Sequence, residues 1–247
     1  MNEEKDIPDK YFITKNKKII KYVPEKDVKI ENIVSKKEFE KLFPSTEKNI
    51  EYKKLLITNI ARYSMANRFI SNEMEKVLKK YIPLYLKSKN LKKFTITETN
   101  GGVGGLSLML SKWFNKINII EINPIHSEII KNNLSVYNVN KKNINILNQD
   151  YLDVVYDLNQ DIIISDPPWG GYNYKKYKYM KLGLNNINIS YIIQKLYKLN
   201  KFKMFILIAM KNFDLSNLIN NIDARSLIIE NLGKHYFIII LGQKYIN

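Results

Sequence analysis

The sequence predicts a doubly wound α/β sheet of seven strands preceded by a helical extension. Three observations predict it. From Phe94 onward, short apolar runs alternate with stretches of helical periodicity, the pattern of parallel strands joined by crossover helices. A glycine-rich turn, Gly101-Gly102-Val103-Gly104-Gly105, follows the first run and opens a helix, so a ligand can approach the backbone there. Acids stand at the ends of four successive runs: Glu98, Glu121, Asp150 and Asp166. That edge is where open α/β sheets bind their ligands.

Residues 1–90 read as an arm and a helical extension, and residues 91–247 as the sheet domain. Charges and the prolines Pro8, Pro24 and Pro44 mark the first 50 residues as an extended arm. One helix is expected near Ser35–Leu42, with Ser35 as N-cap and Glu38 in the capping-box position. Leu55, Leu56, Ile60, Met74, Val77, Leu78 and Tyr81 have helical spacing, and Ser71-Asn72 marks a second helix start. Arg62, Arg68 and Phe69 read either as surface charge and core aromatic or as groups reaching the site.

In the sheet domain, strands are expected at Phe94–Thr99, Ile117–Ile122, Ile144–Leu147, Asp161–Ser165 and Phe202–Met210. Ser226–Asn231 and Tyr236–Leu241, joined through Gly233, complete the set as an antiparallel hairpin. Helices are expected at Gly104–Phe114, Pro124–Tyr137, Leu184–Leu199 and Asp214–Asn221, the second opened by a proline in its first turn.

Composition narrows the function classes. The chain has no cysteine and only two histidines, His126 and His235, so no metal site is expected. No apolar run reaches the length of a membrane span, and the charged start Met1–Asp6 lacks a signal-peptide core. An intracellular location, nuclear or cytoplasmic, without membrane contact is the expectation. A net charge of +16 suggests a polyanionic partner, nucleic acid or a nucleotide phosphate chain. AT-rich coding would also raise the lysine content.

The glycine turn lacks the G-x-G-x-x-G spacing and a phosphate-binding lysine. Led by Glu98 and Asn100, with Gly102 and Gly104 for close approach, it suits a cofactor bearing a charged amino group. Glu121, 23 residues after Glu98, stands where an acid accepts from ribose hydroxyls. Asp150 is placed to accept from an adenine amine, and Asp166 lines the same edge. The series points to S-adenosylmethionine; helix capping by the same acids is the alternative.

Asp166-Pro167-Pro168-Trp169-Gly170-Gly171 closes the fourth strand. The prolines remove two backbone donors and leave carbonyls facing outward. Trp169 offers a flat π surface beside two glycines that allow close approach. The stretch reads as a pocket for a planar base whose exocyclic amine meets Asp166 and the Pro167 carbonyl. A strand-ending turn with a core tryptophan is the alternative. Lys175, Lys176, Lys178 and Lys181, interleaved with Tyr172, Tyr177 and Tyr179, form a basic aromatic segment suited to nucleic acid.

These motifs resemble those of class I S-adenosylmethionine-dependent methyltransferases, whose fold is Rossmann-like. Within them the chain looks like the trimethylguanosine synthase family of cap guanine-N2 methyltransferases. The resemblance rests on Glu98 with Gly102–Gly105, on Pro167–Gly171, and on Tyr174 three residues later. It runs from about Phe94 to the C-terminus. Met210-Lys211-Asn212 stands for the family's Pro-Arg-Asn, which binds cap phosphates, and Asn100 replaces a usual aromatic.

The resemblance implies methyl transfer to the exocyclic amine of 7-methylguanosine in capped RNA. Asp166, Pro167 and Trp169 are then catalytic, and Trp169, Tyr174, Lys211 and Asn212 bind substrate. Glu98, Asn100, Gly102, Gly104, Glu121, Asp150 and Asp166 bind the cofactor. Asp before Pro-Pro also occurs in adenine-N6 methyltransferases of DNA or RNA, the competing reading. An inactive RNA-binding subunit is the third.

Overall fold

The structure, a computed structural model, describes residues 11–14, 19–21, 28–46, 49–140, 142–168, 177–184 and 187–246. The chain opens with β1 (Tyr11–Thr14), β2 (Ile19–Lys21), β3 (Ile30–Asn32) and α1 (Lys36–Leu42). β4 (Leu56–Thr58), α2 (Ala61–Ser64) and α3 (Arg68–Leu86) complete the extension. The sheet domain begins with β5 (Thr95–Glu98), α4 (Gly105–Leu110), β6 (Lys116–Ile120) and α5 (Pro124–Val136). β7 (Ile144–Leu147), α6 (Tyr151–Val154), β8 (Ile162–Ser165) and β9 (Tyr177–Met180) follow. Next come β10 (Gly183–Leu184), β11 (Ile187–Asn188), α7 (Ile189–Lys198) and β12 (Met204–Met210). α8 (Ser216–Asn221), β13 (Leu227–Leu232) and β14 (His235–Leu241) end the described chain's regular elements.

Seven strands form one sheet in the order β13-β14-β12-β8-β5-β6-β7. β5, β6, β7, β8 and β12 run parallel, and β14 is antiparallel to both β12 and β13. The chain winds outward in both directions from β5, so the switch point lies between β5 and β8, where a crevice opens at the strands' carboxyl ends.

Helices cover both faces. Alternate residues of a strand point to opposite sides, so Met204, Ile206 and Ile208 of β12 join one core with α3, α4 and α5. Phe205, Leu207 and Ala209 join the other with α7 and α8. A strand buried on both faces explains the uninterrupted apolar run of β12. Each of the larger side chains, Ala209 excepted, contributes roughly 1.5–3 kcal/mol by leaving water.

The extension adds α1, α2 and α3 to this domain, and its Phe43, Leu55, Ile57, Met74 and Ile82 sit in the same core as the sheet. Ser35 does cap α1, accepting the Glu38 N–H at 3.2 Å. The Glu38 carboxylate reaches back to the Val34 N–H at 3.0 Å, one residue before the cap.

The extension also departs from the expected pattern. Leu56–Thr58, whose spacing suggested helix, is β4 and pairs antiparallel with β3. α3 starts at Arg68, not at Ser71, because Asn67 accepts the Ile70 N–H at 3.2 Å and caps it earlier. Ser71 is buried inside that helix. The segment expected as one helix over Leu184–Leu199 opens instead with the β10–β11 pair, and α7 begins at Ile189 behind the Asn188 cap.

β1, β2 and β9 form a separate three-stranded sheet. β1 thereby ties the arm to the strand that follows the Asp166–Gly171 stretch.

Candidate active site

The carboxyl ends of β5, β6 and β8 gather the predicted acids. Glu98 ends β5 and is only 3% exposed. Ser107, in α4, donates its hydroxyl to Glu98 Oε2 at 2.5 Å. Burial raises the Glu98 carboxyl from 4.5 to about 8, the Ser107 hydroxyl opposes, and the charges of Asp166 and Glu121 raise it further. Glu98 thus feels two neighbouring carboxylates from a buried position, which disfavours its ionisation and favours a cation beside it.

Glu121 follows β6. Its Oε2 accepts the Gly102 N–H at 2.7 Å and its Oε1 the Asn123 N–H at 2.8 Å. It therefore braces the glycine turn, while the second lone pair on each oxygen remains for a ligand hydroxyl. Burial raises its pKa against those two backbone donors. Gly102 has φ +53° with nothing within 4 Å of a built Cβ, and Gly104 has φ +92°. Left-handed backbone explains glycine at both. The open space over Gly102 leaves room for a ligand beside its backbone.

Asp150 does two things. It lies three residues past β7 and N-caps α6, its Oδ1 accepting the Leu152 N–H at 2.9 Å. Its Oδ2 is buried and has no partner among the described residues. A buried unpaired carboxylate oxygen calls for a donor, and an adenine amine supplies one.

Asn100 lies in the same turn. Its Oδ1 is 2.6 Å from Thr99 Oγ1 and 3.3 Å from Ser165 Oγ, linking the ends of β5 and β8. Asp166 is half-buried, Pro167 buried and Pro168 exposed, directly past β8. Trp169 and Tyr174, with Gly170 and Gly171, lie outside the described residues. On the far side of β8, Lys211 and Asn212 follow β12. Lys211 is exposed, and the Asn212 carbonyl accepts the Met180 N–H of β9 at 2.7 Å.

Some site residues were not singled out from sequence. Ile122, immediately after Glu121, is 65% exposed. Asn148 holds the turn by donating to the carbonyls of Glu121 at 2.8 Å and Ile122 at 3.1 Å. Ser107 sits in the apolar run Leu106–Leu110, where nothing in the spacing distinguishes a hydroxyl on Glu98 from a buried one.

His126 is neutralised by burial, with its Nε2 3.1 Å from Thr58 Oγ1 and its Nδ1 3.9 Å from Glu121 Oε1. Among the described residues no group of three or more acids and histidines is arranged to hold a metal ion. Arg62 and Arg68 do not reach the cleft. Arg62 pairs with Glu31 at 2.6 Å and with Glu38, and Arg68 donates to the Phe43 carbonyl at 2.7 Å. Phe69, expected in the core if structural, is 54% exposed.

An acid for a cation at Glu98, a braced acid at Glu121, an accessible glycine backbone and an orphaned acceptor at Asp150 fit S-adenosylmethionine. The comparisons agree. The chain is 33% identical to protein L320 of Acanthamoeba polyphaga mimivirus over 160 residues, 64% of this chain and 61% of that one. It is 30% identical to the trimethylguanosine synthase of Schizosaccharomyces pombe over 84 residues, 32% of this chain and 35% of that one. The chain thus spans less than two thirds of the length of these curated relatives.

A 16S rRNA N2 G1207 methyltransferase of T. thermophilus, solved with AdoMet and guanosine, shares the fold. Its TM-score is 0.55 at 11% identity, over 82% of this chain and 51% of that one. The model of the family described as RNA cap guanine-N2 methyltransferase matches residues 93–240, more than half of the chain. With a seven-stranded class I methyltransferase sheet and a cleft built for S-adenosylmethionine, the chain belongs to the RNA cap guanine-N2 methyltransferase family.

Proposed function

We propose that this methyltransferase domain methylates the exocyclic N2 amine of 7-methylguanosine in an RNA cap. The observation that carries this reading is the position of Asp166-Pro167. They leave β8 at the switch point, one strand from Glu98, within a chain whose family match names that chemistry. When bound, S-adenosylmethionine supplies the methyl group on a sulfonium.

The chain's own residues position the reactants. Glu98 and Asn100 take the cofactor's amino-acid end, Gly102 and Gly104 its passage over the turn, Glu121 its ribose and Asp150 its adenine amine. The guanine amine is a poor nucleophile, so alignment dominates the rate. Asp166 and the Pro167 carbonyl accept hydrogen bonds from its N–H groups and orient its lone pair. The Asp166 carboxylate is the group able to take the proton released once the methyl is transferred. Trp169 stacks on the base; a 7-methylated ring is cationic, and a cation–π contact adds roughly 0.5–2 kcal/mol. Tyr174, Lys211 and Asn212 take the cap phosphates.

The test is radiolabelled methyl transfer to 7-methyl-GTP, GTP and an adenine-containing oligonucleotide in parallel. Product on 7-methyl-GTP alone supports the cap reading. Product only on the oligonucleotide moves the chain to the adenine class, which Asp166 before Pro-Pro would also suit. Trp169→Ala is expected to abolish transfer with cofactor affinity retained; loss of cofactor binding would overturn its assignment to the base.

A further inference from the structure

Lys211 and Lys234 oppose each other across the ends of β12 and β14. Met210 pairs with His235 in the antiparallel ladder, and one step further the Lys211 N–H donates to the Lys234 carbonyl at 3.3 Å. Directly opposed residues carry their Cβ atoms about 4.5–5.5 Å apart, and like charges in that relation are destabilising. Lys234 occupies the tip of the β13–β14 hairpin, beside Gly233 at φ +69°. Both lysines are exposed.

A third cation lies on the strand that meets this turn. Met180 of β9 bridges in parallel to Phe213, just past the Met210–Phe213 turn that carries Lys211, so β9 brings Lys178 to the same edge of the sheet. Lys178 is exposed, and its ammonium lies 5.4 Å from the ring centre of Tyr179, itself 51% exposed. Two acids lie nearby among the described residues, and only Glu230 is ion-paired. Glu230 pairs with Lys80 at 2.6 Å and accepts from Tyr81, and Asp214 accepts from the Ser216 N–H at 3.0 Å and hydroxyl at 2.6 Å. His235 adds no charge at neutral pH, because burial and Lys234 lower its pKa.

The row also lies on the right edge of the sheet. Leu207 pairs with Ser165, the last residue of β8, so Lys211 stands four residues beyond that level. At about 3.3 Å per residue this is roughly 13 Å past the strand end. A chain leaving a base held at Pro167 toward β12 meets Lys211 and then Lys234.

We propose that Lys178, Lys211 and Lys234 form the docking surface for the RNA chain, with Lys234 contacting phosphate outside the base pocket. The identity of the attached base rests on the function proposed above; the preference for a phosphodiester chain rests on this row of cations. An exposed aromatic among lysines suits single-stranded RNA, whose bases stack while its backbone is neutralised.

The experiment is anisotropy of a short fluorescent single-stranded RNA, with and without a 7-methylguanosine cap, between 50 and 200 mM salt. Lys234→Ala is compared with Lys244→Ala, which removes one charge just past the opposite end of β14. Lys234→Ala is expected to weaken binding of both RNAs about 3–10-fold and to lower the log–log salt slope by about 0.7, one phosphate contact on a single strand. Lys244→Ala should leave the slope in place, and calorimetry should find the S-adenosylmethionine affinity of Lys234→Ala unchanged, which confirms that the variant is folded. An unchanged slope for Lys234→Ala, or the same fall for Lys244→Ala, overturns the proposal. A fall in the Lys234→Ala slope without transfer to 7-methyl-GTP would uphold the surface and sink the cap reading. An unchanged slope with such transfer would do the reverse.

Discussion

Asn133 holds Leu56 by both of its backbone groups. Its Oδ1 accepts the Leu56 N–H at 2.9 Å, and its Nδ2 donates to the Leu56 carbonyl at 2.8 Å. The same Nδ2 donates its second hydrogen to the Val103 carbonyl in the glycine turn at 2.9 Å. A side-chain amide, 0% exposed, thus completes the ladder of β4 and joins the extension to the cofactor turn. Asn133→Leu leaves these backbone groups buried and unpaired, at a cost of about 1–3 kcal/mol each before relaxation. We expect a loss of about 3 kcal/mol in urea unfolding together with weaker S-adenosylmethionine binding. Unchanged stability would show that water replaces the amide.

Glu98, which we propose holds the cofactor's amino group, is expected to make cofactor binding pH-dependent. Its pKa in the free protein is about 8, so near neutrality it is largely protonated and binds a cation only by releasing its proton. Affinity should therefore rise with pH up to about 8, by on the order of tenfold or more from pH 6. The sign for folding is opposite. A raised carboxyl binds more protons folded than unfolded, so the free protein loses stability as pH rises from 4.5 to about 8. Glu98→Gln should flatten both profiles in calorimetry and thermal unfolding while weakening the cofactor overall.

His126 acts in the reverse direction. Burial lowers its pKa below 6.5, so the unfolded chain binds the proton more readily. Its contribution is complete above 6.5 and is lost as pH falls through the lower folded value. His126→Asn should reduce the stability loss between pH 6.5 and 5. Because the ring lies between Thr58 and Glu121, the variant should also raise the cofactor Kd several-fold. An unaltered Kd would confine His126 to folding.

Gly105 tests the fit of the extension against the sheet domain. A Cβ there would collide with the Ala66 carbonyl oxygen and meet Met65 Cε at 3.0 Å. Because the first obstacle is backbone, the turn before α3 has to move, at roughly 1–3 kcal/mol. Gly105→Ala is expected to lower stability by that amount and to weaken cofactor binding through the start of α4. Gly102→Ala, with open space but φ +53°, should cost about 1–2 kcal/mol by strain alone. Crystal structures of the two variants would separate displacement from strain.

Much of this protein was legible in its sequence because strands, helix caps and glycine turns are local. Short apolar runs and chain punctuation located the seven strands of the sheet to within two residues, and put Glu98, Glu121 and Asp166 at strand ends. The tertiary structure alone decided which ends meet. Strand order places β5 between β8 and β6, so Glu98 shares a cleft with Asp166 and Glu121, and burial there raises its pKa. It also decided that Leu56–Thr58 is a strand, because pairing with β3 and the Asn133 amide outweighs a helical spacing. Finally, it set Lys234 beside Lys211, 23 residues apart in the chain, through the register of β12 on β14. Propensity acts over a few neighbouring residues. The electrostatics of the cleft and of the lysine row act across strands, so they emerge only when the sheet is assembled.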